Sequence, residues 1–199
     1  MEDTYRKNKF SHLFNILDFD HDGLLQASDF KNLGDNIATF RCLEYPSEIE
    51  GLILTRGEQF WQRIQEYLSN QPIKRCNLNN WLGFLNDLTD PNKPERFHSL
   101  VKKSVDDIFL IYDVNKDNFI SKHDFLCLFV SLRVEIKQAD ECFRQLDLNG
   151  DQLISREEMI LAIMQFFVSE DKEKTGNLIF GNPDDYRFTS KKTYLRSRF

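Results

Sequence analysis

The sequence predicts an all-α protein built from two pairs of helix–loop–helix units, and its length allows either one compact unit or two small lobes. Two observations carry this prediction. A twelve-residue segment rich in Asp and Asn recurs along the chain, and each copy lies between segments whose apolar residues repeat with helical spacing. The paired loops are expected to meet in short antiparallel ladders, and the second of the four loops is predicted to be vestigial.

The first such segment, loop 1, spans residues 18–29 and reads DFDHDGLLQASD. Its predicted ligands are four carboxylates and one backbone carbonyl, at positions 1, 3, 5, 12 and 7 of the loop: Asp18, Asp20, Asp22, Asp29 and Leu24. At position 6, Gly23 lets the chain double back without a Cβ clash. Ca²⁺ needs six to eight oxygen ligands, and this spacing is that of a calcium-binding EF-hand loop.

Two further loops repeat the pattern. Loop 3 covers residues 113–124, and its predicted ligands are Asp113, Asn115, Asp117, Phe119 (carbonyl) and Asp124. Loop 4 covers residues 147–158, and its predicted ligands are Asp147, Asn149, Asp151, Leu153 (carbonyl) and Glu158. The two loops start 34 residues apart (147 − 113), a spacing suited to a packed pair. Ile120 and Ile154, both at position 8, are predicted to pair in a short antiparallel ladder.

Since these hands normally pair, three loops imply a fourth. Loop 2 is predicted at residues 69–80, which read SNQPIKRCNLNN and precede an apolar helical segment. This stretch contains no carboxylate, and Lys74 and Arg75 would repel a cation. We therefore predict that loop 2 pairs with loop 1 but binds no ion, which leaves three calcium sites.

Three regions follow from this layout: an N-terminal pair at 1–92, a C-terminal pair at 93–182 and a tail at 183–199. Residues 186–199 carry five basic groups and no acid, with aromatic residues between them. Three interpretations of the tail remain open. It is disordered or draped on the surface, it folds back as an aromatic plug in a hydrophobic groove, or it contacts anionic lipid heads.

Composition restricts the function classes. The 32 acidic residues exceed the 26 basic ones, giving a net charge of −6, which disfavours nucleic acid as a partner. No apolar run is long enough to span a membrane, and the N-terminus lacks an apolar signal core. Glu2 excludes N-myristoylation. A cytoplasmic, monomeric protein is the expectation.

The four cysteines show no short paired spacing, so a zinc site is disfavoured. Cys127 and Cys142 lie in apolar helical stretches and are predicted to be buried, reduced thiols.

The closing ligands differ in length. Glu158 is long enough to bind Ca²⁺ through both oxygens, whereas Asp29 and Asp124 are one methylene shorter. The sites closed by Asp29 and Asp124 are therefore predicted to accept Mg²⁺ as well. At position 6, Asn118 and Gln152 replace glycine, and Gln152 is expected to cost about 1 kcal/mol of backbone strain.

Three intact loops with a degenerate second one resemble the sarcoplasmic calcium-binding proteins, a group that includes calerythrin, calexcitin and the luciferin-binding proteins. The segment Gly176 to Gly181, which reads GNLIFG, is similar to the GN-x-x-FG segment of that family, as is the Asp that closes loop 1. The resemblance implies a compact globule of two EF-hand pairs rather than two separated lobes.

The expected function is that of a cytosolic calcium buffer or a calcium-dependent signalling protein, not an enzyme. With only three methionines, a Met-rich promiscuous groove is disfavoured, although an apolar surface for one protein target remains open. The alternative is a luciferin- or coelenterazine-type carrier with Ca²⁺-triggered release. No His lies beyond His123, which argues against the photoprotein reaction that the resemblance would imply.

Overall fold

The computed structural model describes residues 5–41, 48–73 and 75–184. Eight α-helices lie in these ranges: α1 Tyr5–Leu17, α2 Ala27–Phe40, α3 Glu48–Ser69, α4 Leu78–Leu88, α5 Pro94–Tyr112, α6 Lys122–Ser131, α7 Ala139–Leu146 and α8 Arg156–Val168. Two short 3-10 helices, Ile136–Gln138 and Thr175–Leu178, and two strands, β1 Ile120–Ser121 and β2 Leu153–Ile154, complete them. The predicted all-α fold class is confirmed.

The helices form two pairs of helix–loop–helix units, each joined between its loops. In the C-terminal pair, β1 and β2 are antiparallel and Ile120 faces Ile154, as the sequence predicted. In the N-terminal pair the ladder is reduced to one antiparallel bridge between Leu25 and Cys76, with the Leu25 N–H donating to the Cys76 carbonyl at 2.8 Å. Leu25 and Cys76 each occupy position 8 of their loop, so loop 2 lies in the predicted register.

One hydrophobic core serves both pairs. Helix α1 packs against α4 of its own pair and against α8 of the other. Trp81 of α4 is fully buried, and its indole N–H donates to the Phe10 carbonyl at 2.9 Å. Because α1 contacts both pairs, the compact globule expected from the sequence is confirmed.

The GNLIFG segment follows α8 and closes over α1. A Cβ at Gly176 would lie 2.6 Å from the Ala162 carbonyl oxygen, so only glycine allows this approach to α8. Asn177 is buried and accepts a hydrogen bond from the Lys9 ammonium at 2.7 Å. The Phe180 carbonyl lies 2.7 Å from Nε2 of His12. The segment therefore attaches the end of the C-terminal pair to the first helix.

The described cysteines, Cys76, Cys127 and Cys142, form no disulfide. Cys76 and Cys142 are buried, as expected for Cys142, whereas Cys127 is only half-buried. Burial raises the pKa of the Cys76 thiol to about 12, which keeps it protonated at neutral pH.

Some predictions fall outside the described residues: Cys42, Lys74 and the tail from 186 to 199 lie there. The proposed boundary between 92 and 93 falls between the end of α4 at Leu88 and the start of α5 at Pro94, and it stays a prediction. Among the helices of the described ranges, none has the length and apolar character needed to cross a bilayer.

Candidate metal-binding loops

Loop 1 brings the side chains of Asp18, Asp20 and Asp22 together, with one carboxylate oxygen of each within 4.8 Å of the others. Backbone N–H groups aim them inward. Asp18 accepts from Gly23 at 3.0 Å, and Asp22 accepts from Leu24 at 2.8 Å. The three carboxylates therefore lie close enough together for one ion to contact all of them.

The closing carboxylate of loop 1 is anchored at both ends of the loop. Asp29 accepts the N–H of Phe19 at 2.9 Å through one oxygen and the N–H of Gln26 at 2.8 Å through the other. It is almost fully buried, in the first turn of α2, where the helix dipole favours negative charge.

In loop 3, backbone N–H groups hold the carboxylates at positions 1 and 5 as they do in loop 1. Asp113 accepts from the N–H groups of Asp117 and Asn118 at 3.2 and 2.9 Å. The Asn115 amide donates to Asp117 at 2.8 Å, and the Phe119 N–H donates to the same carboxylate at 2.9 Å. The ligand types at positions 1, 3 and 5 are therefore held in one cluster.

Loop 3 is closed less completely than loop 1. Asp124, in the first turn of α6, accepts both the N–H and the hydroxyl of Ser121, at 3.0 and 2.6 Å. Within the described chain, it receives no hydrogen bond from Val114, the residue equivalent to Phe19 of loop 1. The short Asp side chain thus reaches only one side of this loop.

Loop 4 is closed by the longer side chain of Glu158. One oxygen accepts the Leu148 N–H at 2.9 Å, and the other accepts the N–H and hydroxyl of Ser155 at 2.8 and 2.7 Å. Asp147 accepts the Gln152 N–H at 2.8 Å, and Asp151 accepts the Leu153 N–H at 2.9 Å. Glu158 thus bonds to both sides of loop 4, as Asp29 does in loop 1, whereas Asp124 bonds to only one side of loop 3.

Comparison with known proteins supports one fold. A family model described as an EF-hand domain pair matches residues 102–164, which contain loops 3 and 4. Residues 102–164 are an EF-hand pair. No curated protein matches the chain in sequence.

Solved structures extend the likeness to both EF-hand pairs. The calcium-loaded apo form of the coelenterazine-binding protein from Renilla muelleri is 20% identical with a TM-score of 0.68, over 89% of this chain and 95% of that one. A sarcoplasmic calcium-binding protein from amphioxus is 14% identical with a TM-score of 0.67, over 91% and 98%. A Streptomyces coelicolor calcium-binding protein is 18% identical with a TM-score of 0.67, over 81% and 97%. The fold that the sequence predicted by resemblance is therefore confirmed.

EF-hand loops of this composition bind calcium through oxygen ligands, and the residues matched by the family model contain two of them, loops 3 and 4. The three oxygen-rich loops share one burial pattern: the ligands at position 12 are buried, and those at positions 3 and 5 lie exposed at the loop mouth. Each loop thus opens toward solvent on one side only.

Among the described residues, no Lys, Arg or His side chain forms an ion pair with a carboxylate of loop 1, 3 or 4. Burial raises the pKa of Asp18, and the neighbouring Asp29 raises it further against the opposing bond from Gly23. Burial also acts to raise the pKa of Glu158, but its bonds from Ser155 and Leu148 outweigh this and lower the pKa overall.

Loops 1, 3 and 4 each contain two residues in left-handed backbone conformation, whereas the sequence pattern predicted only one. Position 6 has φ values of 84°, 66° and 67° at Gly23, Asn118 and Gln152. Position 4 is also left-handed, with φ values of 59°, 59° and 76° at His21, Lys116 and Gly150. In the sequence, Gly150 at position 4 of loop 4 was the feature that could have indicated a left-handed residue at this position.

Loop 2 contains no carboxylate. An amide side chain, whose role the sequence pattern did not predict, takes the place of the carboxylate at position 12. Asn80, at position 12, points its side-chain amide back into the loop. Asn77 caps α4 by accepting the Asn80 N–H at 3.0 Å. The described part of loop 2 therefore keeps its bridge to loop 1 although it has no acidic ligands.

Proposed function

We propose that this protein binds three calcium ions, one each in loops 1, 3 and 4. The observation that best supports this is the cluster in loop 1, where Asp18, Asp20 and Asp22 lie close together and Asp29 is buried. Loops 3 and 4 hold their carboxylates at positions 1 and 5 with the same kind of backbone hydrogen bond. Clustered carboxylates repel one another unless a cation lies between them. The residues that would hold the ions are those predicted from the sequence, at positions 1, 3, 5, 7 and 12 of each loop.

Calorimetric titration of the metal-free protein with Ca²⁺ tests the number of sites. Three equivalents are expected, and each of the variants Asp18→Ala, Asp113→Ala and Asp147→Ala should lose one. Asp35→Asn is the matched control, because Asp35 is an exposed acid on α2 that pairs with Lys31 outside the loops. Three equivalents in all three loop variants would contradict the proposal.

The ion preference is proposed to differ between the loops. Asp124 leaves loop 3 open on the side of Val114, whereas Glu158 closes loop 4 on both sides. A single carboxylate oxygen suits the smaller, octahedral Mg²⁺, and a bidentate one suits Ca²⁺. We expect millimolar Mg²⁺ to compete at loop 3. We expect it to compete also at loop 1, because Asp29 is as short as Asp124 even though it bonds to both sides of its loop, and not at loop 4. Asp124→Glu should abolish the competition at loop 3, and an unchanged Mg²⁺ effect in this variant would contradict the assignment.

We favour a cytosolic buffer, acting as a monomer, over a sensor that opens. Met159 is fully buried, and α1 joins the cores of both pairs, so opening one pair would disrupt the other. Binding of a hydrophobic dye should be equal in the metal-free and calcium-loaded states. A several-fold increase with Ca²⁺ would instead support a signalling role with a protein target, and light scattering checks the monomer.

A small-molecule carrier is the second candidate. A groove of about 270 Å³ between α2 and α3 is lined by the apolar side chains of Phe30, Leu54 and Trp61. This volume is slightly below the usual range for small-molecule sites. The likeness to the Renilla protein makes coelenterazine the compound to test. Quenching of tryptophan fluorescence at micromolar coelenterazine, lost in Leu54→Trp, would favour the carrier over the buffer.

A further inference from the structure

Loop 2 is closed by an amide where the other loops have a carboxylate. The Asn80 side-chain nitrogen donates to the Arg75 carbonyl at 2.7 Å and to the Ile73 carbonyl at 3.0 Å. Arg75 is at position 7, whose carbonyl is an ion ligand in an EF-hand loop. The Asn80 N–H groups therefore point at the oxygen that a bound cation would contact.

Loop 2 also contains Cys76, the residue that pairs with Leu25 of loop 1. Cys76 follows Arg75 directly, and its carbonyl accepts the Leu25 N–H at 2.8 Å. Leu25 and Cys76 are each only 1% exposed, so this bridge lies within the core. Leu25 in turn follows Leu24, whose carbonyl is the position 7 ligand of loop 1. Fixing Cys76 thus fixes the backbone beside a ligand of loop 1.

The C-terminal pair has no such support. Ile120 and Ile154 pair between two loops that are both closed by carboxylates, Asp124 and Glu158. Both sides of that ladder carry negative charge that an ion must neutralise. In the N-terminal pair, only loop 1 carries such negative charge, because loop 2 is closed by the uncharged amide of Asn80.

We propose that Asn80 is a positioning residue for calcium binding at loop 1. Its amide replaces an ion in loop 2 and keeps Cys76 in place as the partner of Leu25 before any ion binds. This inference rests on the proposed calcium site in loop 1. It predicts that the N-terminal ladder persists in the metal-free protein and that loop 1 binds calcium without needing a second ion in its pair.

Amide hydrogen exchange in the metal-free protein tests the ladder independently of calcium binding. The Leu25 amide should exchange at least tenfold faster in Asn80→Asp than in the unmodified chain. Asp preserves the side-chain shape and suits the first turn of α4, so that variant keeps its helix while losing both donors. Asn70→Ala is the control, because the Asn70 amide has only a 3.5 Å contact with the Glu66 carbonyl. Equal Leu25 exchange in the Asn80→Asp variant and the unmodified chain would overturn the proposal.

Site-resolved calcium titration by NMR tests the consequence. The amides of Gly23, Asn118 and Gln152 each donate to the position 1 carboxylate of their own loop, so they report loops 1, 3 and 4 separately. Asn80→Asp should weaken affinity at loop 1 about five- to tenfold and leave loops 3 and 4 within twofold. An unchanged loop 1 affinity would overturn the inference. A Gly23 amide that fails to respond in the unmodified chain would instead overturn the proposed site in loop 1.

Discussion

The Arg133 guanidinium stacks on the Phe19 ring, with its central carbon 3.4 Å from the ring centre. The same side chain donates to the Phe19 carbonyl at 3.0 Å. Phe19 is position 2 of loop 1, and its N–H donates to the closing carboxylate of Asp29. Arg133 follows α6 of the C-terminal pair. This contact therefore joins loop 1 to the C-terminal helix–loop–helix pair.

Arg133→Ala should destabilise the protein by about 1–2 kcal/mol, the sum of a cation–π contact and a hydrogen bond. Urea unfolding measures the loss. The Gly23 amide should also report weaker calcium binding at loop 1, since Phe19 would no longer be held beside Asp29. Arg144→Ala is the control, because Arg144 is exposed and pairs only locally with Glu141. Equal stability of these two variants would refute the role of this contact.

Gln152→Gly should stabilise loop 4 by about 0.5–1 kcal/mol. Gln152 has φ of 67°, which costs a residue with a Cβ roughly 1 kcal/mol, and the added freedom of glycine in the unfolded chain offsets part of the gain. Thermal unfolding of the metal-free protein measures the difference.

The opposite substitution at position 6 of loop 1 tests the same effect of backbone strain on stability. Gly23 has φ of 84°, and a Cβ there would meet no atom within 4 Å. Gly23→Ala should therefore lose about 1 kcal/mol through backbone strain alone. If Gln152→Gly and Gly23→Ala shifted the midpoint in the same direction, strain at position 6 would not be the cause.

Lys9→Met should cost about 3 kcal/mol, because it leaves buried oxygen acceptors without a donor. The fully buried Lys9 ammonium donates to the Ser169 carbonyl at 2.7 Å and to Asn177 at 2.7 Å. Burial lowers the pKa of Lys9 to about 8, so the group is still mostly protonated at pH 7. Denaturant unfolding at pH 7 checks the loss, with the exposed Lys102→Met as control. If Lys9→Met lowered the free energy of unfolding no more than Lys102→Met, the hydrogen bonds of Lys9 to Ser169 and Asn177 would contribute little to stability.

Acidification should destabilise the metal-free protein partly through His12. Burial lowers the pKa of His12 below its ordinary value of 6.5, although the Phe180 carbonyl opposes this. Since the unfolded chain then binds the proton more readily, stability falls as pH drops below 6.5. His12→Gln retains a donor for the Phe180 carbonyl and cannot titrate. Its stability should fall less than that of the unmodified chain between pH 7.5 and 5.5, and parallel losses would exclude His12 as the cause.

Local patterns in the amino-acid sequence were enough to predict the all-α fold class, the three oxygen-rich loops and the lack of carboxylates in loop 2. These depend on local spacing: position along a twelve-residue loop decides which side chains can face one point, and helical periodicity decides which side chains reach the core. The Ile120–Ile154 ladder followed from the same register. The need for glycine-like backbone at position 6 could be predicted for the same reason.

Only the tertiary structure showed that Asn80 closes loop 2, that Arg133 stacks on Phe19 and that Lys9 binds Asn177. The contacts of Arg133 and Lys9 join residues 114 and 168 positions apart along the chain, and no local pattern encodes such partners. Asn80 is close to its acceptors in sequence, but its role depends on how α4 orients the side chain into the loop. Side-chain direction and long-range packing are set by the folded chain as a whole, which is why they appear only there.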